Sequence, residues 1–175
     1  MMPAPSPLAP EALRDCCLCP RCCRVDRYVG PSGYCRTGAG FAVSAVTVHR
    51  GEEPVISGER GICNVFFAHC NLRCLFCQNY QISRPQAHTG EECWTLGFVS
   101  ASHLVPQMAA IITAVRRQGF RPVVVYNSNG YDRVETLRHL DDLVDVYLPD
   151  CKYMDPVLSA RWSGAGNYPA GAARA

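Results

Sequence analysis

The sequence predicts an α/β fold in which parallel strands alternate with helices. Short runs rich in β-branched residues alternate with longer segments that have a helical apolar period. These runs are almost continuously apolar, as strands are when helices cover both faces of a parallel sheet. Polar signatures directly follow three of the runs, and ligands of parallel α/β folds bind at the carboxyl ends of strands.

The predicted strands are bounded by glycine, proline and polar residues. They cover residues 41–48, 62–68, 96–99, 123–126 and 143–148. A short return at residues 55 and 56 would make the first strand part of a hairpin. The run 62–68 leads straight into a group of cysteines, which places that group at the start of the first βα unit.

Two helices are predicted between the last three strands. Ser102 is expected to cap the first helix, which ends at Gly119. Its apolar face is formed by Leu104, Val105, Met108, Ile111, Ile112 and Val115. Asp132 is expected to cap the second helix, with Glu135 three residues later as a partial capping box. Residues 81–93 show no helical period, so a crossover helix is predicted to be missing or shortened there.

The composition describes a chain that can bury a core and has few features of a nucleic-acid or membrane protein. The 175 residues are 48% hydrophobic and 18% charged, and the net charge of +2 is scattered along the chain. Residues 1–10 are rich in proline and alanine and lack the pattern of a secretory signal, so residues 1–15 are expected to be a disordered leader. A cytoplasmic protein is therefore expected, with no nucleic-acid or membrane partner.

The twelve cysteines favour metal ligation over a disulfide framework. Disulfide frameworks are typical of short secreted chains with little core, whereas this chain has many aliphatic residues and no secretory signal. The cysteines also lie in tight groups, at residues 16–23 and 70–77. Close spacing suits ligands that converge on one metal centre.

The second group has the spacing C-x3-C-x2-C, formed by Cys70, Cys74 and Cys77. Three thiolates can bind three irons of a [4Fe–4S] cluster and leave the fourth iron free for a substrate. The alternative is a zinc loop that takes a fourth ligand from His69 or elsewhere. The position of the Cys70, Cys74 and Cys77 loop directly after a buried strand favours the iron–sulfur cluster.

The first group offers a second metal site with four thiolates, and the sequence does not choose between structural zinc and an auxiliary iron–sulfur cluster. Cys16, Cys19, Cys23 and Cys35 give one such set, with the spacing C-x2-C-x3-C-x11-C, and these four line up with the family resemblance described below. Cys17 and Cys22 are then spare thiols, although Cys19 and Cys22 would make an equally acceptable C-x2-C pair. The remaining cysteines are expected to be small buried residues rather than ligands. They are Cys63, Cys93 and Cys151.

The run CNLRCLFCQNYQIS, beginning at Cys70, resembles the radical S-adenosylmethionine (SAM) proteins related to pyruvate formate-lyase activating enzyme. It is most similar to an uncharacterised subgroup of activating-enzyme-like iron–sulfur proteins. The stretches CLCPRCCRVDR, GPSGYC, HRGEEPVISG and YNSNGYDRVETLRHLDDLVDVYLPDCKY also agree with that subgroup. The resemblance covers roughly residues 16–168.

The resemblance implies a fold and a cofactor chemistry. The fold would be a partial (β/α) radical SAM barrel with a small cysteine-rich metal-binding segment before it. The [4Fe–4S] cluster on Cys70, Cys74 and Cys77 would reductively cleave SAM to a 5′-deoxyadenosyl radical, which abstracts a hydrogen atom. Phe76 would shield the adenine side of the site.

The resemblance also implies contacts to SAM at two motifs. Asn127, Ser128, Asn129 and Gly130 match a motif that surrounds the SAM carboxylate. Lys152 would pair with that carboxylate, and Asp150 would help hold a monovalent cation. An electron donor such as flavodoxin or ferredoxin is implied, together with a glycyl radical enzyme as partner.

This chain departs from the family pattern in ways that leave an alternative open. Residues 97–103 contain no carboxylate where the activating enzymes carry one for the SAM amino group, although His103 is a polar candidate. Family members also continue beyond residue 168, so a truncated barrel is expected at residues 59–168, after a cysteine-rich segment at 16–58 and before a tail at 169–175. The alternative is a truncated, non-catalytic protein that binds an iron–sulfur cluster or zinc.

Overall fold

Five strands form one mixed sheet in the computed structural model, which describes residues 6–51, 59–77 and 95–175. The strands are β1 (Val43–His49), β2 (Ile62–Phe67), β3 (Thr95–Val99), β4 (Val123–Ser128) and β5 (Val146–Pro149). They lie side by side in chain order. Strand β1 is antiparallel to β2, whereas β2, β3, β4 and β5 are parallel. The carboxyl ends of four strands therefore meet at one edge of the sheet.

Within residues 95–175, four helices follow strands β3, β4 and β5 along the chain. They are α1 (Val105–Arg117), α2 (Val134–Arg138), α3 (Pro156–Ser163) and α4 (Tyr168–Ala172). A 3₁₀ turn at Ala101–His103 precedes α1, and another occupies Pro10–Leu13. None of the helices in the described ranges is long and apolar enough to cross a membrane.

The main core lies between the sheet and α1. Phe98 and Tyr126, on neighbouring central strands, are fully buried and pack in one cluster with Met108 and Ile112 of the helix. This is the helix face that the apolar period predicts. Two smaller clusters support the ends of the chain, one around Leu13 and Leu18 and one around Tyr131 and Tyr168.

The α/β class and the strand positions are confirmed, with differences at single elements. Strand β5 begins at Val146 rather than 143, because residues 141–143 form a turn. The antiparallel partner of β1 is β2, whereas the predicted return at residues 55 and 56 lies outside the described residues. The predicted gap at 81–93 also lies outside them, together with Cys93.

Both predicted helix caps are wrong, because the side chains are used within the core. Ser102 Oγ lies 2.9 Å from the Tyr126 hydroxyl, and α1 begins after Leu104 without a side-chain cap. Asp132 accepts hydrogen bonds from the Tyr126 hydroxyl at 2.8 Å and from Ser128, so it does not cap α2. Both side chains form tertiary hydrogen bonds, so they are not available to cap the helices as their sequence positions suggest.

Two segments expected to be irregular contain structure. Residues 1–5 lie outside the described part, but within the predicted leader Leu13 is buried beside Cys16 and Leu18. Residues 168–172, where the tail was expected to start, form helix α4 with Tyr168 fully buried. The Tyr168 hydroxyl lies 2.9 Å from the carbonyl oxygen of Asn129 and 2.7 Å from that of Asp150, and accepts from the Lys152 amide. It therefore ties the ends of β4 and β5 together.

Gly130 allows the chain segments after β4 and β5 to approach closely. Its φ of +71° is in the left-handed region that glycine adopts without strain. A Cβ at this position would lie 2.3 Å from the carbonyl oxygen of Asp150 and 2.9 Å from the Tyr168 hydroxyl. Because the first of these atoms belongs to the backbone, a side chain at residue 130 would push the two segments apart.

We expect Gly130→Ala to destabilise the protein by about 3 kcal/mol, since it adds left-handed strain to an overpacked contact. Urea unfolding followed by circular dichroism measures the change. Gly40→Ala is the matched control, because a Cβ there meets no atom within 4 Å, and its effect should stay within about 1 kcal/mol. Equal stabilities of the two variants would contradict the close approach.

His103 is fully buried between the N-terminal segment and the sheet. Its Nε2 lies 3.0 Å from the carbonyl oxygen of Ala68, which only accepts, so Nε2 carries the proton. Its own carbonyl oxygen accepts from the buried guanidinium of Arg27. Burial lowers the pKa of His103 from 6.5 to about 4, and the nearby Arg27 charge adds to the effect. His103 is thus a neutral core residue with its ring turned to Ala68.

We expect His103 to make folding stability fall as the pH is lowered from 6.5 to about 4. In that window the unfolded chain binds a proton that the folded chain excludes, and the contribution of His103 is fully present only above it. A pKa lowered from 6.5 to about 4 corresponds to about 3 kcal/mol.

Urea unfolding of the wild type and of His103→Gln at pH 4, 5, 6 and 7 tests this expectation. The difference between the unfolding free energies of the wild type and His103→Gln should change by most of the roughly 3 kcal/mol between pH 7 and pH 4. His139→Gln, at an exposed histidine, is the control for loss of an imidazole. A difference that does not change with pH would show that His103 is not the responsible group.

Candidate functional site

An open cavity of about 800 Å³ lies at the carboxyl ends of the parallel strands. Each of β2, β3, β4 and β5 contributes residues to it, directly or through the loop that follows the strand. The N-terminal segment adds a further wall with Tyr34, Cys35 and Arg36. Most of the residues singled out in the sequence therefore face one space. These are Cys70, Cys74, Phe76, Cys77, Asn127, Asn129, Asp150 and Lys152.

The cysteine loop is anchored at its middle. The backbone amide of Leu75 donates to the carbonyl oxygen of Trp162 at 3.0 Å, and that of Arg73 donates to Ser163 at 3.3 Å. Cys74 Sγ lies 2.9 Å from Ser163 Oγ. Helix α3 therefore holds the loop against the sheet edge, while Cys77 remains exposed.

Cys70 and Cys74 are partly buried. Burial raises the pKa of the Cys70 thiol to about 11, an effect that the Leu72 amide opposes and the neighbouring Cys74 increases. The Leu72 amide and the Asn129 side chain both donate to Cys70 Sγ, each at 3.4 Å. A bound cation would offset the penalty of burying a thiolate here, because metal coordination favours the deprotonated form.

The donor set fits an iron–sulfur cluster in its chemistry, because three soft thiols open onto one cavity with N–H donors beside them. The thiols are not gathered into a coordination shell. Across residues 6–51, 59–77 and 95–175, no three or more His, Cys, Asp or Glu side chains are arranged to hold a metal ion. His69, the alternative zinc ligand, is exposed and lines the same cavity.

Lys152 and Asp150 form an ion pair at the mouth of the cavity. Lys152 Nζ lies 2.7 Å from Asp150 Oδ2. Burial lowers the pKa of Lys152, but the hydrogen bond and charge of Asp150 outweigh burial, so the net shift is upward. Lys152 is the only lysine in the chain, whose other basic residues are arginines. A permanent cation thus faces the cavity beside one carboxylate.

The three polar residues that end β4 and follow it point in different directions. Asn127 and Asn129 line the cavity. Ser128 does not, because its hydroxyl donates to Asp132 and accepts from the Gly130 amide at 2.9 Å. The predicted contact of Ser128 with SAM therefore has no support in this geometry, since alternate residues of a strand face opposite sides.

Phe76 lies on the cavity wall with much of its ring exposed. Its ring centroid is 5.9 Å from that of Tyr153 in an edge-to-face contact. This contact positions an apolar face beside Cys77. An aromatic ring there could cover a flat ligand group such as a purine.

The first cysteine group packs directly behind the cavity. Cys16, Cys19 and Cys35 are buried, and Cys23 is partly buried. Burial raises the pKa of the Cys19 thiol to about 11, while hydrogen bonds from the Arg21 amide and the Asn71 side chain oppose the shift. These four thiols likewise form no metal-binding arrangement. Cys17 and Cys22, expected to be spare thiols, are joined in a disulfide.

Three side chains that the sequence analysis missed connect the cysteine groups. Two guanidinium groups lie over the Tyr34 ring, with the Cζ of Arg21 at 3.5 Å and that of Arg73 at 4.3 Å from the ring centroid. Arg21 also donates to the carbonyl oxygens of Asn71 and Gly164. The only sign of these contacts in the sequence is that both arginines lie next to cysteines, because the contacts join residues that are far apart in the chain.

Comparisons with known proteins identify one related sequence. No family model and no solved structure matches the chain. The chain is 29% identical over 182 residues to the uncharacterized protein MJ0674 of Methanocaldococcus jannaschii. The alignment covers 92% of this chain and 52% of the archaeal protein, so the chain spans about half the length of this curated relative.

Proposed function

We propose that this chain is a radical SAM iron–sulfur protein similar to a glycyl-radical-enzyme activating enzyme. The observation that carries the proposal is the convergence of Cys70, Cys74 and Cys77 with Asp150 and Lys152 on one cavity. These residues come from loops after two different parallel strands. A [4Fe–4S] cluster with bound SAM requires thiolates that bind its irons and a cation that pairs with the SAM carboxylate, and this cavity offers both.

The residues of this chain would bind and orient the two cofactors. Cys70, Cys74 and Cys77 would hold three irons of a [4Fe–4S] cluster, and Phe76 would cover the adenine. Lys152 would pair with the SAM carboxylate, and Asp150 would fix the ammonium group of Lys152 or hold a monovalent cation beside it. When bound, the cluster and SAM together supply one-electron cleavage of a carbon–sulfur bond, which releases methionine and a 5′-deoxyadenosyl radical for hydrogen abstraction.

The proposal includes partners and a second metal. A one-electron donor of the flavodoxin or ferredoxin class would reduce the cluster, and a glycine of a partner protein is the substrate that the resemblance suggests. The N-terminal cysteines Cys16, Cys19, Cys23 and Cys35 would hold zinc or an auxiliary cluster. A cytoplasmic site of action would suit a chemistry that depends on reduced thiols.

We expect anaerobic reconstitution with iron and sulfide to load about four irons and four sulfides at Cys70, Cys74 and Cys77. The Cys70→Ser variant should bind about four irons per chain fewer than the wild type. Cys151→Ser is the matched control, because Cys151 is exposed and is not one of the proposed ligands. Iron and sulfide analysis with low-temperature electron paramagnetic resonance gives the cluster content, and chromatography detects 5′-deoxyadenosine after reduction with dithionite.

The outcome also separates the two candidate functions. Formation of 5′-deoxyadenosine by the wild type, and its loss in Cys70→Ser, supports the enzyme. Zinc or iron binding without SAM cleavage would leave only the non-catalytic metal protein. Equal iron contents of Cys70→Ser and Cys151→Ser would rule out Cys70 as a ligand.

We expect Lys152→Met to weaken SAM binding to the reconstituted protein roughly tenfold to a hundredfold, because a charge-assisted bond of about 1.5–3 kcal/mol is lost. Equilibrium dialysis with labelled SAM measures the change. Arg117→Met, at an exposed arginine at the end of α1, is the control for loss of one positive charge. Because Lys152 is the only lysine, SAM should also protect it from an amine-acylating reagent. Unchanged affinity and no protection would exclude Lys152 from the SAM site.

A further inference from the structure

Two buried asparagines lie directly behind Cys70. Asn71 follows it in the cysteine loop, and Asn129 comes from the segment after β4. Their exposed fractions are 1% and 4%. A buried amide must satisfy two N–H donors and one carbonyl acceptor, because an unpaired polar group in the interior is costly. The partners of these amides therefore define what each side chain does.

The backbone of Tyr131 fixes the orientation of both amides. The Tyr131 N–H donates to Asn129 Oδ1 at 3.0 Å, so Asn129 Nδ2 points the other way. The Tyr131 carbonyl oxygen accepts from Asn71 Nδ2 at 3.0 Å, so Asn71 Oδ1 is turned toward Asn129. Neither amide can be flipped without placing two donors or two acceptors against each other.

Both N–H donors of Asn129 are then in use. Asn129 Nδ2 donates to Cys70 Sγ at 3.4 Å and to Asn71 Oδ1 at 2.8 Å. Asn71 Oδ1 also lies 3.7 Å from Cys70 Sγ, so both amides contact the same thiol. Asn129 therefore has no N–H donor left for a ligand in the cavity, although its side chain reaches the cavity wall.

We infer that Asn129, held in place by Asn71 and Tyr131, is a positioning residue for the Cys70 thiolate and not a hydrogen-bond donor to the SAM carboxylate. Its N–H···S bond, together with the one from the Leu72 amide, raises the reduction potential of the cluster. The inference rests on the proposed function, because it needs a cluster on Cys70. Hydrogen bonds to cysteine sulfurs make the more negative, reduced cluster easier to form.

The test is a redox titration of the reconstituted protein and its variants, without SAM, followed by electron paramagnetic resonance. Asn129→Leu removes the donor without adding charge. Asn129→Asp removes it but keeps an acceptor for the Tyr131 amide. Asn127→Leu is the matched control, because Asn127 lines the same cavity at the end of the same strand. Iron content and thermal unfolding are measured on all of them.

At the wild-type midpoint potential, we expect the ratio of reduced to oxidised cluster to fall at least threefold in both Asn129 variants and to change less in Asn127→Leu. Folded Asn129 variants that bind less iron than Asn127→Leu would also support the positioning role. Equal potentials and iron contents in all the variants would overturn the inference and leave the proposed function standing. A wild type that assembles no cluster would refute the proposed function itself.

Discussion

The parallel pairing of β2, β3, β4 and β5 is the constraint on which the rest of the structure depends. Their registers bring Phe66, Val99, Asn127 and Leu148 to the same edge of the sheet. Whatever follows each strand must then lie at that edge. Separate stretches of sequence, each with an unremarkable local structure, become the walls of one cavity.

This edge buries many polar groups, and a few of them act as shared acceptors and donors. Asp132 accepts from Tyr126 and Ser128, and the Tyr168 hydroxyl joins the segments after β4 and β5. Asn71 joins the cysteine loop to Asn129 and to the Tyr131 carbonyl oxygen. Such networks are stable only when every member has a partner, so they specify one arrangement of the loops. These hydrogen bonds, together with the sheet, fix the positions of the loops that line the cavity.

The charges around the cavity are distributed unequally, and the distribution limits what it can bind. Lys152 is paired with Asp150, whereas burial raises the pKa of the Cys70 and Cys19 thiols. Arg27 is buried, and its guanidinium donates to the His103 carbonyl oxygen and to Cys35 Sγ. Among the described residues, the cavity walls carry thiols, cations and one acid, Asp150, and this set favours ligands that bring metal ions or negative charge.

The sequence by itself determined the α/β class, the positions of the strands and the candidate cysteines, because apolar periodicity and residue spacing are local properties. Only the tertiary structure decided that Ser102 and Asp132 are core hydrogen-bond partners and not caps, that Ser128 faces away from the cavity, and that His103 is buried and neutral. It also decided that Asn129 faces Cys70. The physical reason is that the use of a polar side chain depends on which partners lie within 3 Å or so after folding, and sequence spacing does not contain that information.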